Sequence, residues 1–201
     1  MYLKLSMKTK LAKIISYVFV PPVSLMIIFI ILANQIYINS ILKFQTLLIA
    51  AMFGFILPVF VFLFLRKNGK IINDDATLKE ERTVPFLIGI GLAIIALIFS
   101  YIYGLHSLII ALWISYIITQ VFVIIINLNW KISAHLVGIG IPYATFIFLF
   151  QTDFIYVLLI PIIIGWARLE LKVHTFPQVF AGFILGTIPT YIILLESIKL
   201  F

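Results

Sequence analysis

The sequence predicts an all-α fold, a polytopic bundle of about six to seven transmembrane helices. Hydrophobic residues make up 64% of the 201-residue chain and charged residues only 10%, too few polar groups for the surface of a water-soluble domain. The apolar residues are gathered in runs of about 20, the length at which a helix crosses a bilayer. These runs are continuous rather than alternating, which argues against a membrane β-barrel.

Seven apolar segments are predicted as spans. They cover approximately residues 14–33, 44–65, 85–103, 107–127, 134–150, 154–167 and 177–195. No internal repeat and no linker divides them. We therefore interpret residues 1–201 as a single integral membrane domain.

The first two predicted spans are followed by a long hydrophilic loop. Basic residues precede the first apolar run, as in a signal peptide, but the run continues through Leu32 and shows no small-residue cleavage site. We therefore expect a retained first span. The second span contains Pro58, which predicts a kink. Residues 66–84 form the one substantial hydrophilic loop, and the short connections elsewhere indicate a compact bundle.

The later spans carry features that predict packing and depth. Gly138 and Gly140 predict close helix packing, and Pro161 predicts a kink in the sixth span. That span is short, because as a helix it rises only ~21 Å against a hydrocarbon core of ~30 Å. We expect Arg168, just after it, to lie below the headgroup plane. A charge at that depth faces the bundle interior or a wet cavity and is a functional candidate.

The basic residues are distributed asymmetrically. If the chain changes side with each predicted span, all 14 Lys and Arg except Lys43 and Lys199 fall on one side, together with His135 and His174. The positive-inside rule places this side in the cytoplasm. The net charge of +7 suits anionic partners such as lipid headgroups or phosphates. Nucleic acid is not expected as a partner, because the sequence has no basic stripe outside the membrane-flanking loops.

Three segments on the basic side, residues 78–85, 130–135 and 167–178, contain the candidate site. They supply Lys79, Arg82, Lys131, Ser133, His135, Arg168, His174 and Gln178. Guanidinium and ammonium groups bind phosphate oxygens, and Arg can do so with a bidentate fork. Two histidines allow one ring to act as nucleophile and the other as general acid. The pattern predicts a phosphate-binding site at which a phosphoryl group is transferred through a histidine.

The segment 167–178 resembles the third motif of the type 2 phosphatidic acid phosphatase superfamily of membrane lipid phosphatases. That motif runs Ser-Arg, five residues, His, three residues, Asp. Here Arg168 is followed at the same intervals by His174 and Gln178, with Ala167 in place of Ser and Gln178 in place of Asp. "HTFPQV" is similar to the dolichyl-diphosphatase branch, in which Gln also occupies this position. "VFAGFILG" is similar to the glycine-bearing final helix of the family.

The second motif of the family, Pro-Ser-Gly-His, is matched in part by "ISAH". Ser133 and His135 fit the motif, whereas Ile132 and Ala134 replace Pro and Gly. The resemblance extends over about residues 75–190, and the third motif carries most of its specificity.

The first motif, Lys, six residues, Arg-Pro, is matched least well. Arg82 fits the Arg, but its proline comes three residues later, at Pro85. Asp75 stands at the Lys position, so Lys79 or Lys70 would have to substitute. The match to the phosphate-binding residues of the family is therefore weakest in this segment.

The resemblance implies a role for each matched residue. His174 would attack phosphorus and form a phosphohistidine, Gln178 would orient its ring, and His135 would protonate the leaving group. The phosphate ligands would be Arg168, Arg82, Lys79 and Ser133, with neither metal nor cofactor. Because Gln lacks the charge that stabilises an imidazolium, a slower enzyme or a site of different polarity is expected.

The implied partners are the lipid bilayer and a substrate, either a membrane lipid phosphate or, slightly favoured, an isoprenyl diphosphate. The expected location is the bacterial inner membrane. Members of the family usually act on its outer side, whereas the charge count places the site in the cytoplasm.

Other interpretations of the same residues stay open. Residues 175–178 fit a helix capping box, and Lys131 beside Trp130 fits a span-end anchor. A membrane prenyltransferase needs two Asp-rich segments to hold Mg²⁺, and the sequence has one such segment, at Asp74 and Asp75. A non-catalytic lipid-binding or scaffold protein is the main alternative from another class.

Overall fold

The computed structural model describes residues 6–72, 78–151 and 154–199; most of these residues are helical, and none of them forms a strand. Asp74 and Asp75 lie outside the described residues. The helices are α1 (Met7–Val18), α2 (Pro21–Ile36), α3 (Ser40–Ile49), α4 (Leu57–Lys67), α5 (Thr83–Ile102), α6 (Ser107–Asn129), α7 (Ala134–Phe150), α8 (Phe154–Glu170) and α9 (Phe176–Lys199). A π-helical segment (Ala50–Ile56) joins α3 to α4, and a 3₁₀ turn (Lys79–Arg82) leads into α5.

Four to five of these helical segments are long and apolar enough to cross a membrane, counted over the described residues. The four continuous segments are Ser40–Lys67, Glu80–Ile102, Ser107–Asn129 and Phe176–Ser197. The bent pair α1 and α2 makes a fifth if it is one span. The chain is therefore an all-helical protein of the kind expected in a membrane.

The predicted first span is two helices rather than one. α1 and α2 meet at an angle of 54°, and Pro21 and Pro22 occupy the first turn of α2. Proline has no N–H group to continue the hydrogen bonds of α1, so it starts a helix more readily than it continues one. As a result α1 packs against α8, whereas α2 packs against α7.

Pro58 lies where the helix from α3 to α4 changes its hydrogen bonding. The π-helical segment Ala50–Ile56 ends just before it, and Pro58 stands in the first turn of α4. A proline ring crowds the carbonyl four residues earlier, and a wider turn relieves that contact. The predicted irregularity at Pro58 is therefore a π-helical segment within a continuous helix.

α7 and α8 have 17 residues each, so each rises about 25 Å. α7 coincides with the predicted segment 134–150. α8 extends three residues past the predicted end of its segment, which places Arg168 in its last turn. Lys172 then adopts a positive φ of 55° and ends the helical conformation.

Glycines let α7 and α9 approach to backbone contact, as predicted for Gly140. A Cβ on Gly140 would lie 2.8 Å from the Cα of Gly186 on α9. Nearer the start of both helices, a Cβ on Gly182 would lie 2.7 Å from the carbonyl oxygen of Ser133. Gly138 instead contacts α2, where its Cβ would lie 2.8 Å from Pro21. The close α7–α9 crossing sets the beginnings of the two helices side by side.

Candidate functional site

His174 and Gln178 form the centre of the candidate site. His174 is buried in the turn between α8 and α9, and its Nδ1 lies 3.1 Å from Oε1 of Gln178 in the first turn of α9. The backbone N–H of Thr175 donates to the same Oε1, at 3.1 Å. An atom that accepts from a backbone N–H is the amide oxygen, so Nδ1 of His174 carries the proton and Nε2 carries the lone pair.

The same contacts show half of the predicted capping box. Gln178 at the third helical position accepts from the N–H of Thr175, as the box requires. One side-chain oxygen therefore both caps α9 and fixes the tautomer of His174. The structural and the chemical interpretations of Gln178 are compatible.

Ser133 stands next to this pair because of the α7–α9 crossing. Its backbone N–H donates to the carbonyl oxygen of Gln178 at 3.2 Å. Ser133 precedes the first residue of α7, yet its hydroxyl does not cap that helix. Its Oγ is buried and has no hydrogen-bond partner among the described residues, and the same holds for Nε2 of His174. Buried polar atoms of this kind are rare and call for a functional explanation.

His135 and Arg168 are joined through α1. The Nε2 of His135 donates to the backbone carbonyl of Ser16 at 3.2 Å, and Arg168 donates through Nη1 to the hydroxyl of the same serine. All three residues are buried. Ser16 is not among the site residues predicted from the sequence. The one signal for Ser16 in the sequence is that a small polar residue stands in an apolar helix. Its two partners lie more than 100 residues away along the chain.

Arg82 and Lys131 reach the site from the loops before α5 and α7. Arg82 is buried and donates through Nη1 to the carbonyl oxygen of Ile132 at 2.9 Å. Lys131 donates to the carbonyl oxygen of Val173 at 2.7 Å, the residue before His174. It therefore ties two loops of the site together, beyond the predicted anchoring of a span end. Lys79 lies in the 3₁₀ turn, and its side chain lies outside the described residues.

The electrostatic environment keeps the His174 ring neutral. The pKa of His174 is lowered to about 2, mainly by burial and further by the charges of Arg82, Arg168 and Lys131, whereas the hydrogen bond that the ring donates to Gln178 acts in the opposite direction. Three cations that disfavour a charged imidazole favour an anion at the same place. The ring is therefore unprotonated at Nε2 across the physiological pH range.

Most predicted site residues are thus brought together. Contacts or electrostatic coupling link His174, Gln178, Ser133, His135, Arg168, Arg82 and Lys131, and the structure adds Ser16. Across the described residues, no group of three or more His, Asp or Glu side chains is placed to hold a metal ion.

A cavity of about 560 Å³ adjoins the site. Arg82 and His135 contribute to its lining, and most of the remaining wall is apolar, with residues from α2, α4 and α5 such as Pro21, Phe62 and Phe86. Its volume falls within the range of typical small-molecule sites. A ligand with one anionic end and one hydrocarbon end fits this division of polarity.

The comparisons with known proteins leave the chain without an assigned family. No protein-family model, no curated protein and no solved structure matches it.

Proposed function

We propose that this protein is an integral membrane lipid phosphatase that hydrolyses a lipid phosphate or an isoprenyl diphosphate through a phosphohistidine on His174. The observation that carries the proposal is the state of this ring. Gln178 accepts from its Nδ1, while Nε2 is buried, has no hydrogen-bond partner in the described part of the chain and lies in the fields of three cations. A neutral imidazole beside an anion-binding cluster is the arrangement required for attack on phosphorus. The motif resemblance to type 2 phosphatidic acid phosphatases supports the same chemistry.

The first step of the proposed reaction forms a covalent intermediate. The lone pair on Nε2 of His174 attacks phosphorus while the bond from phosphorus to the leaving oxygen breaks. Arg168, Arg82 and the hydroxyl of Ser133 stabilise the charge on the phosphoryl oxygens. In this proposal the negative charge of the bound headgroup brings a proton to Nδ1 of His135, and His135 gives this proton to the leaving oxygen. The leaving group is an alcohol from a lipid phosphate, or a lipid monophosphate from a diphosphate.

The second step regenerates the enzyme. His135, now neutral, takes a proton from water as the water oxygen attacks the phosphohistidine. The N–P bond breaks, inorganic phosphate leaves and His174 recovers its lone pair. Gln178 accepts the Nδ1–H bond throughout. Because it is uncharged, it stabilises the positive ring of the intermediate less than a carboxylate would.

The proposal includes six or seven spans in the bacterial inner membrane. With α7 and α8 as short spans and α1–α2 as one bent span, the chain crosses seven times. The loops that carry Arg82, Ser133 and His174 then lie on the side of the N-terminus. The charge count assigns this side to the cytoplasm.

Phosphate release by purified protein in detergent tests the proposal. The assay contains EDTA and offers either a glycerolipid phosphate or an isoprenyl diphosphate. Wild type should release phosphate, and His174→Ala should reduce the rate by about 1000-fold or more, because it removes the nucleophile. His106→Ala is the matched control, since this histidine caps α6 through a bond to Leu108 and is assigned no role in the reaction.

Three outcomes contradict the phosphatase mechanism. Release that survives His174→Ala excludes the histidine nucleophile. Release that requires Mg²⁺ points instead to the metal chemistry of a prenyltransferase-like protein. No release from any lipid phosphate or diphosphate favours the non-catalytic lipid-binding or scaffold protein of the same fold.

A further inference from the structure

The wall of the cavity contains a polar group with no part in the phosphate chemistry. Gln120 on α6 lines the cavity and is 5% exposed. Its Oε1 is buried and has no hydrogen-bond partner among the described residues. Since a buried carboxamide is normally paired, this atom indicates a ligand group that enters the cavity.

Tyr116 lies one helical turn before Gln120, on the same face of α6, and also lines the cavity. Gly89 of α5 stands opposite, where an added Cβ would lie 3.7 Å from the Tyr116 hydroxyl. A carboxamide and a phenol together offer both donors and acceptors. They can pair with a hydroxyl or with an ester carbonyl.

The depth of this pair relative to the phosphate site follows from α6. Asn127 accepts from the backbone N–H of Ile132, and the carbonyl of Ile132 accepts from Arg82, so Asn127 marks the level of the site. Gln120 precedes Asn127 by seven residues, about 10 Å along the helix axis. The flexible side chain of Gln120 can shorten this separation by several ångströms.

The distance between Gln120 and the phosphate site distinguishes two kinds of lipid substrate. A glycerolipid phosphate carries hydroxyl or ester groups on the carbons that follow its phosphate, whereas an isoprenyl chain offers only hydrocarbon there. A hydrocarbon beside Gln120 would leave its amide unpaired. A glycerol backbone would satisfy it.

We propose that Gln120 and Tyr116 form a hydrogen-bonding subsite for the glycerol backbone of a glycerophospholipid, whose chain occupies the apolar cavity. The inference rests on the proposed function, in that the headgroup is a lipid phosphate at the Arg168–His174 site. It deepens that proposal by selecting glycerolipid phosphates over isoprenyl substrates.

Equilibrium binding of two phosphonates to purified protein in detergent tests the subsite. Phosphonates are not hydrolysed at the P–C bond, so binding is measured apart from turnover. The probes are the phosphonate analogues of 1-oleoylglycerol phosphate and of farnesyl phosphate, in which a P–C bond replaces the ester bond to phosphorus. Gln120→Met keeps the size of the side chain and removes its hydrogen bonds. It should raise the Kd of the glycerol probe about tenfold and leave that of the farnesyl probe within about twofold.

Controls separate the subsite from general damage. Thr119→Val removes a hydroxyl from the same helix that donates to the backbone carbonyl of Tyr116, and it should change neither Kd. Tyr116→Phe should reproduce the selective loss, and it serves as the test variant if Gln120→Met does not fold. Retained farnesyl binding shows that a variant is folded.

Equal changes in both Kd values, no change in either, or no binding of either probe by wild type overturns the subsite. Failure of the phosphatase proposal gives a different result. In that case the glycerol probe binds selectively, but wild type releases no phosphate from the corresponding ester.

Discussion

At the scale of single residues, Gln178 sets the rate of the proposed reaction. We predict that Gln178→Glu, which keeps the reach of the side chain, raises the rate of phosphate release about tenfold. A carboxylate at 3.1 Å from Nδ1 would stabilise the positively charged ring as the N–P bond forms. Gln178→Leu, which removes the acceptor, should lower the rate instead. Steady-state phosphate release checks both, and an unchanged rate in Gln178→Glu would refute this role.

The same substitution should change the pH dependence of kcat/KM. In wild type the pKa of His174 is lowered to about 2, so protonation of this ring removes no activity between pH 8 and pH 4. A carboxylate beside the ring raises its pKa. The protonated, non-nucleophilic form then appears at higher pH, and activity is lost as pH falls through the raised pKa.

The sequence predicted the residues of the third motif but not all of their partners. Arg168, His174 and Gln178 lie within one short segment, so their spacing alone indicated a shared site. Ser16 contacts Arg168 and His135 across more than 100 residues of chain, and no local pattern reports such a contact. The weakly matched first motif still brings Arg82 to the site, because its place depends on the fold rather than on the neighbouring proline.

At the scale of helices, the crossing of α7 and α9 places the site. We predict that Gly186→Ala destabilises the protein by about 1–3 kcal/mol, because the new Cβ would lie 3.0 Å from the Cα of Gly140 and overlap the carbonyl of Val137. Separation of the two helices would also stretch the bond from Ser133 to Gln178, so phosphate release should fall. Thermal unfolding in detergent and the release assay measure the two effects.

Gly91→Ala on α5 is the matched control for this prediction. A Cβ there would have no atom within 4 Å, and alanine favours the helix more than glycine does. Its thermal midpoint should equal or exceed that of wild type. Equal midpoints for the two variants would show that α7 and α9 do not depend on backbone contact.

Helix positions followed from the apolar runs, whereas helix interruptions did not. Each predicted apolar run corresponds to helical structure, because a helix satisfies its own backbone hydrogen bonds in an apolar environment. The 54° bend before Pro21 and the π-helical segment before Pro58 depend on how the neighbouring helices pack. The two prolines marked these places in the sequence, but not the form that each interruption takes.

At the scale of the whole molecule, the proposed seven-span topology predicts which loops share a side of the membrane. The natural chain has no cysteine, so single cysteines can be labelled without background. A membrane-impermeant maleimide should label Lys10→Cys and Lys172→Cys from one side, the cytoplasmic one by charge count. It should label Ile38→Cys and Tyr103→Cys from the other, and all four positions are exposed. Labelling of Lys10→Cys and Lys172→Cys from opposite sides would contradict the seven-span topology.

The central claim is that one histidine carries the phosphoryl group between lipid and water. A single-turnover experiment with a ³²P-labelled lipid phosphate, quenched in alkali to preserve N–P bonds and followed by peptide mapping, tests it most directly. We expect the label on the peptide that contains His174 in wild type, and no labelled peptide in His174→Ala. Turnover of the lipid without label on this peptide, or with the label on another residue, would contradict the account.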